Sequence, residues 1–252
     1  DAYHKKQLPH FFKSVGLLAI AAILAVGLNA TNIMATQEYV KESTRGNSEL
    51  TINPDGSPKE ISTGLSRDYI TEYSYGILET FNLYIPKFMG GGNTEDVGKD
   101  SETYKAYVKL GASPMEALEA SRNAPMYWGK QPIVEAPAYV GAVIIFLFVL
   151  GLFLVNGRLK WWLVGGTVLS LSLSYGKNLG FLTDFFIDYV PLYNKFRAVS
   201  SIQVLLELCI PILGIFALVR LFNDFQKDEE KLKALKYSLG ITAGLALVFL
   251  VF

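Results

Sequence analysis

The sequence predicts a mainly α, polytopic membrane protein. It has about five transmembrane helices, a mixed α/β extracytoplasmic loop of about 100 residues, and an amphipathic helix at the membrane interface. Three observations predict it. Apolar residues make up 51% of the 252 and are gathered into five nearly uncharged blocks. Charged residues collect between the blocks, above all in residues 36–136. Mean hydropathy is +0.29, high for a chain that presents its whole surface to water.

Residues 15–28 carry no charge, and the apolar run continues through Asn29, Thr31 and Asn32 to Ala35. Residues 137–155 and 161–175 are uncharged, 200–219 hold only Glu207, and 237–252 hold no charge. A bilayer core about 30 Å thick takes about 20 helical residues, so the first, second and fourth blocks are long enough to span it. The third reaches about 22 Å at the helical rise per residue. Lys5, Lys6 and Lys13 ahead of an apolar run also fit a signal peptide. Opening on Asp1 and ending at Phe252 inside a block, the chain reads instead as an internal piece of something longer. The resulting division is a leader with first span (1–35), an extracytoplasmic loop (36–136) and a membrane region (137–252). The last contains an interfacial segment (178–197) and a cytoplasmic loop (220–236).

Charge gives the orientation. The 23 basic and 23 acidic residues cancel, which is not the footprint of a nucleic-acid binder. Their distribution is uneven. Residues 1–13, 156–160 and 220–236 hold ten cations against five acids, and residues 36–136 hold ten against fifteen. The positive-inside rule places the first set, and with it the N-terminus, on the cytoplasmic side.

The outer loop reads as folded. Residues 51–56 carry Pro54-Asp55-Gly56, the chemistry of a tight turn between short extended segments. Ser113-Pro114-Met115-Glu116 is a capping box with proline at the first helical position, opening a helix to about Arg122. Gly90-Gly91-Gly92 lacks the helix start and Lys-Ser/Thr of a phosphate loop and reads as a hinge. In the second outer segment, Phe181, Phe185, Tyr189 and Leu192 share one helical side, the pattern of a helix lying on the membrane surface. Lys195 and Arg197 follow. Two cations beside a headgroup layer suit either a bound phosphate or plain interfacial anchoring. Glu207, with Pro211 one turn on, is an intramembrane acid: a functional group, or a structural partner for Asn29 and Asn32.

Conventional catalytic and metal patterns are missing. His4 and His10 sit on the leader, Cys209 is the single cysteine, and no metalloprotease, nucleophile-elbow or dinucleotide motif occurs. No cofactor or metal is expected.

Four stretches in order resemble the YfhO family of bacterial integral membrane proteins, in its Bacteroidetes form. They are Glu42-Ser43-Thr44-Arg45-Gly46; Tyr73-Ser74-Tyr75-Gly76 through Glu79-Thr80 to Ile85-Pro86-Lys87-Phe88; Tyr127-Trp128-Gly129-Lys130-Gln131-Pro132 with Tyr139-Val140-Gly141-Ala142; and Asp188-Tyr189-Val190-Pro191 with Asn194-Lys195-Phe196-Arg197. The resemblance implies an internal portion of a longer, multi-pass protein of the bacterial cytoplasmic (inner) membrane. It further implies a membrane-embedded glycosyltransferase that moves a sugar from a polyprenyl-phosphate donor to an envelope polysaccharide, lipid or protein acceptor. The catalytic carboxylate would lie outside this stretch. Within it, Lys195 and Arg197 would meet the donor phosphate. Tyr75, Tyr127 and Trp128 would offer aromatic faces, and Arg45, Glu79 and Gln131 hydrogen bonds, to sugar hydroxyls. The alternatives are a transporter or flippase of a lipid-linked precursor, for which Glu207 and the short third block speak, and a non-catalytic subunit that holds partner membrane proteins.

Overall fold

The structure is a computed structural model that describes residues 6–46, 52, 54–58, 64–223 and 225–251. It divides into two units, Asp1–Ser66 and Arg67–Phe252.

The first unit contains α1 (Leu8–Leu28) and α2 (Ala30–Lys41). Pro9 occupies the first turn of α1, where its missing N–H is no loss. Asn29 ends α1, its side-chain amide donating to Ala25 O at 2.9 Å. No residue of α1 is buried, and its apolar side chains stand out on all sides, as suits a helix solvated by lipid. Beyond α2, Ile52 and Pro58 form an isolated antiparallel bridge around Pro54-Asp55-Gly56, with Gly56 at φ +81° and Ser57 N–H donating to Asp55. The predicted turn is therefore present. Positions 51 and 53 lie outside the described residues.

The second unit runs α3 (Arg67–Ile70), a 3-10 turn (Leu78–Leu83), α4 (Glu102–Lys109), α5 (Pro114–Arg122), α6 (Ala142–Leu154) and α7 (Arg158–Ser174). It continues with α8 (Gly180–Tyr189), 3-10 turns at Tyr193–Lys195 and Val199–Gln203, α9 (Val204–Phe222) and α10 (Asp228–Val251). α6 packs on α9 and α10, and α7 on α9. The α6–α9 seam is close because both helices use glycine there. A Cβ on Gly151 would lie 2.7 Å from Leu213 Cγ, and one on Gly214 would lie 3.1 Å from Leu147 Cβ. Small residues at a seam let backbones approach where lipid supplies no hydrophobic drive. Leu150, Leu154, Ala217 and Ala234 form the core near one end of this bundle. Leu83, Leu206 and Ile210 form it near the other.

The two ends differ chemically. At one, the α6–α7 and α9–α10 turns meet, Gln226 donating to Leu154 O at 3.0 Å. This end carries Arg158, Lys160, Arg220, Lys227 and Lys231. At the other end sits a cap formed by residues 67–141 with the α7–α9 connection. Tyr84 OH donates to Thr242 O at 2.8 Å, and Phe81 and Phe88 stack against Phe249.

Three expectations are corrected. No β-strand occurs among the described residues, so the outer loop is not a mixed α/β domain. Residues 89–95 and 124–128 do run alongside each other, with Gly91 N–H donating to Met126 O and Glu95 exchanging both bonds with Ala124. Pairing stops at single bridges because Gly90 has φ +83° and Pro125 has no N–H to donate. Nor do Gly90–Gly92 act as a hinge: a Cβ would lie 1.8 Å from Met126 O at Gly90 and 2.4 Å from Glu135 O at Gly92. The tri-glycine is a place of close backbone approach.

In place of about five spans, three helices among the described residues are long and apolar enough to cross a membrane: Leu8–Leu28, Val199–Phe222 and Asp228–Phe249. α6 has 13 residues, about 20 Å. The start of its apolar block is spent as extended chain under the cap, where Val140 and Gly141 N–H both donate to Leu83 O. α7, with 17 residues, reaches about 26 Å.

Candidate functional site

The cap is built onto the bundle by hydrogen bonds from residues 73–80. Tyr75 N–H donates to Ser174 O at 2.9 Å, Lys177 N–H to Ser74 Oγ at 2.9 Å, and Asn178 Nδ2 to Tyr75 O at 2.8 Å. Gln203 Nε2 reaches Ser174 Oγ at 3.3 Å, and Ser170 Oγ donates to Ile202 O at 2.6 Å. The ends of α7 and α9 thus fix the floor of the cap.

At its centre lies Glu79, 1% exposed. One carboxyl oxygen accepts from Tyr127 OH at 2.7 Å and from Gln131 Nε2 at 3.1 Å, and the other from Lys130 N–H at 2.7 Å. Tyr75 OH donates to the Glu79 backbone carbonyl at 2.7 Å. A Cβ on Gly76 would sit 2.7 Å from the carboxyl oxygen, so glycine leaves room for the acid. The donors come from one short loop, 127–131, which the buried carboxyl holds in place. Burial, and then the hydrogen bond to Glu79, pushes the Tyr127 hydroxyl up to about 12 from 10.0. Tyr75 is raised as well, by burial first and Glu79 second.

These raised values carry a pH dependence. The native state holds both phenolic protons after an unfolded chain has begun to lose them. The stability they contribute is complete below pH 10 and falls away as pH rises toward about 12. A tyrosinate absorbance titration is expected to leave Tyr75 and Tyr127 silent until above the range where free tyrosine ionises, with the cap opening as they titrate.

The second constellation lies between the cap and the α7–α9 connection. Arg197 donates to Tyr69 OH, its guanidinium sits 4.9 Å from the Tyr69 ring centroid and 5.1 Å from that of Tyr73, and Glu72 is 4.0 Å away. The bond to Tyr69 holds Arg197 above its ordinary range. With five donors on a guanidinium and one given to Tyr69, donors remain for a ligand. The segment carrying it is bracketed by two non-glycine residues in the left-handed region, Leu192 at φ +68° and Ala198 at φ +63°. Such conformations cost about 1–2 kcal/mol each and cluster at binding sites. Arg197 lines a cavity of about 420 Å³ with Tyr193, Phe196, Val199, Ser201 and Ile202. A second cavity, about 340 Å³, is lined by Tyr75, Gln131, Glu135, Ser200, Ser201 and Gln203. Ser201 lines both.

The sequence-predicted residues divide as follows. Tyr75, Glu79, Tyr127 and Gln131 come together, with Glu79 enclosed rather than facing a cavity. Trp128 is 73% exposed and lies against Gly90, its N–H bonded to Met89 O at 2.8 Å. Lys195 is half-buried in the turn Tyr193–Lys195. Arg45 belongs to the first unit, where its N–H donates to Ser43 Oγ at 3.2 Å. Glu207 is exposed in the first turn of α9, where an acid complements the helix dipole. Pro211 leaves its backbone carbonyl without the usual donor four residues on.

Sequence reasoning passed over Tyr69, Glu72 and Tyr73 as partners of Arg197. It also passed over Arg67, whose guanidinium pairs with both Asp184 and Asp188 of α8. The signal was available: two acids four apart on one face of an otherwise aromatic helix call for a cation. The clamp takes the polar side of α8 and leaves Phe181, Phe185 and Tyr189 outward, at 77%, 53% and 74% exposure.

No family model, curated protein or solved structure matches this chain. Long apolar helices make it a polytopic membrane protein in contact with a lipid bilayer.

Proposed function

We propose that the chain is part of a membrane-embedded glycosyltransferase-like protein, of the kind the YfhO resemblance implies, to which it contributes donor and acceptor binding. The observation that carries this reading is the Arg197 cavity: a stacked, oriented guanidinium over an apolar-walled space, at the mouth of a helix long enough to span. A polyprenyl-phosphate needs that combination, an anion site joined to an apolar path. The neighbouring cavity, lined by serine, glutamine and glutamate side chains, suits hydroxyl-rich groups. Trp128 offers an exposed aromatic face on the same 127–131 loop as Gln131.

In this reading the acceptor hydroxyl attacks the sugar's anomeric carbon and gives its proton to a base carried elsewhere in the longer protein. The lipid phosphate leaves with the bonding electrons, and Arg197 and Lys195 stabilise the charge that gathers on it. The basic end of the bundle, and the N-terminus of the chain, face the cytoplasm of a bacterial inner membrane, with the cap outside. Glu79 acts on the site as a positioning residue, through Tyr127 and Gln131.

The test supplies full-length protein in membranes with a radiolabelled polyprenyl-phosphate sugar. Lys195→Ala and Arg197→Ala are each expected to lower transfer about tenfold or more, the loss of a charge-assisted hydrogen bond, at unchanged membrane abundance. Arg197→Lys, without the planar fork, recovers only part. Undiminished transfer by both alanine variants removes the phosphate site. Movement of the lipid-linked sugar without covalent transfer identifies a flippase instead, and neither activity an assembly subunit.

A further inference from the structure

The side of α9 turned away from the bundle is not a plain lipid-facing surface. Leu206, Ile210, Leu213 and Ala217 are on its buried side, and the helix packs on α6 and α7. On the other side Val204, Leu208 and Ile215 are 62%, 60% and 60% exposed. Steps of four and seven residues put these three on one stripe, the pattern of a seam between helices. Glu207, also exposed, stands at the edge of that stripe, three residues from Val204.

Two features mark this position. No described residue gives the Glu207 carboxyl a hydrogen bond or an ion pair. Pro211, four residues on, has no N–H, so the Glu207 backbone carbonyl lacks its usual donor as well. Depth makes this costly. The apolar span runs Val199–Phe222, and at the rises of its 3-10 and α turns Glu207 lies about 14 Å inside it. Intramembrane acids face a bundle interior, a watery cavity or a partner. Glu207 instead faces out of this bundle, among exposed apolar side chains.

The partner's chemistry follows from what this chain lacks. The position offers acceptors only, a carboxyl and a carbonyl, and it is met by a side chain with several donors and a positive charge. None of the five apolar blocks contains a lysine or an arginine. Neither another block of this chain nor a second copy therefore brings a cation to that depth. We infer that the 204–215 face of α9 is the docking surface for a spanning helix of a different membrane protein. That helix carries a lysine or arginine within its apolar stretch and sets it against Glu207. The exposed stripe supplies the packing, and the ion pair fixes depth and register. The inference stands apart from the sugar-transfer reading, which uses residues of the cap and of the α7–α9 connection.

The experiment reconstitutes the purified full chain, labelled with a donor fluorophore, in phosphatidylcholine vesicles with acceptor-labelled model peptides. Each peptide is a leucine–alanine helix of about 20 residues, with lysine, leucine or glutamate at its centre, and energy transfer reports association. The lysine peptide is expected to associate about fivefold more tightly than the leucine peptide, the worth of one interhelical polar contact in a bilayer. The glutamate peptide is expected not to exceed leucine. Glu207→Leu is expected to abolish the lysine preference. Ile215→Trp, which crowds the stripe, is expected to weaken binding of the lysine peptide, whereas Leu247→Trp, at an exposed position of α10, leaves it unchanged. Equal association of the lysine and leucine peptides overturns the inference. So does a lysine preference that survives Glu207→Leu, or an Ile215→Trp effect no larger than that of Leu247→Trp. Energy transfer between differently labelled copies of the chain, lost in Glu207→Leu, would assign the face to a second copy and overturn it too.

Discussion

Glu79→Ala is expected to open the cap. The substitution leaves the Tyr127 hydroxyl, the Lys130 N–H and the Gln131 amide without their acceptor, around a site that is 1% exposed. An orphaned buried donor costs about 1–3 kcal/mol. Lys130 lies at the surface and can rehydrate, so the total is about 3 kcal/mol rather than the full sum. The loop 127–131 is released and Gln131 loses its place on the second cavity. About 3 kcal/mol of local opening raises tryptic cleavage at Lys130 about a hundredfold. Glu79→Gln keeps one acceptor oxygen but turns an NH₂ toward a donor, and is expected to fall between wild type and alanine. Cleavage at the wild-type rate in Glu79→Ala would mean that the carboxyl does not organise the loop.

Gly151→Leu is expected to disrupt the bundle itself. Its Cβ would meet Leu213 Cγ at 2.7 Å and Leu213 O at 2.9 Å, and the second of these is backbone that cannot swing aside. Overpacking a tight core costs about 1–3 kcal/mol, and more where backbones must part. Gly151→Ala already introduces that Cβ and is expected to lower the detergent melting temperature, while Gly151→Leu fails to give a monodisperse folded species. Gly165→Leu is the comparison, because a Cβ there meets nothing within 4 Å. Equal melting temperatures for the Gly151 and Gly165 variants would contradict the close α6–α9 seam.

Features encoded locally were legible in the sequence. The capping box at Ser113 forms with both reciprocal bonds, because it needs only four consecutive residues. The first, fourth and fifth apolar blocks become helices of spanning length. The basic segments at 156–160 and 220–236 meet at one end, as the alternation of spans requires. What failed was encoded at a distance. Residues 89–95 run beside 124–128, but the ladder that would make them a strand pair is interrupted by Pro125. The tri-glycine reads as a break until Met126 and Glu135 are seen pressing on it. Block two has the length of a span, yet its first residues are drawn under Leu83.

The candidate site divides along the same line. Lys195 and Arg197 stood out from their place beside an amphipathic helix. Their surroundings did not: Tyr69 lies 128 positions from Arg197, and the donors to Glu79 lie 48 to 52 positions from it. Glu79 reads from sequence as one more outer-loop acid. Only burial separates it from its neighbours and moves it from a sugar contact to a residue that positions the loop.

Photocrosslinking tests the central claim most directly. Full-length protein in membranes is irradiated with a polyprenyl-phosphate analogue carrying a photoreactive group next to the phosphate, and the labelled peptides are sequenced. The account predicts label on residues 193–202, competed by unlabelled polyprenyl-phosphate and lost in Arg197→Ala but not in Arg158→Gln. Label spread over the exposed faces of α9 and α10 and indifferent to Arg197 would contradict it.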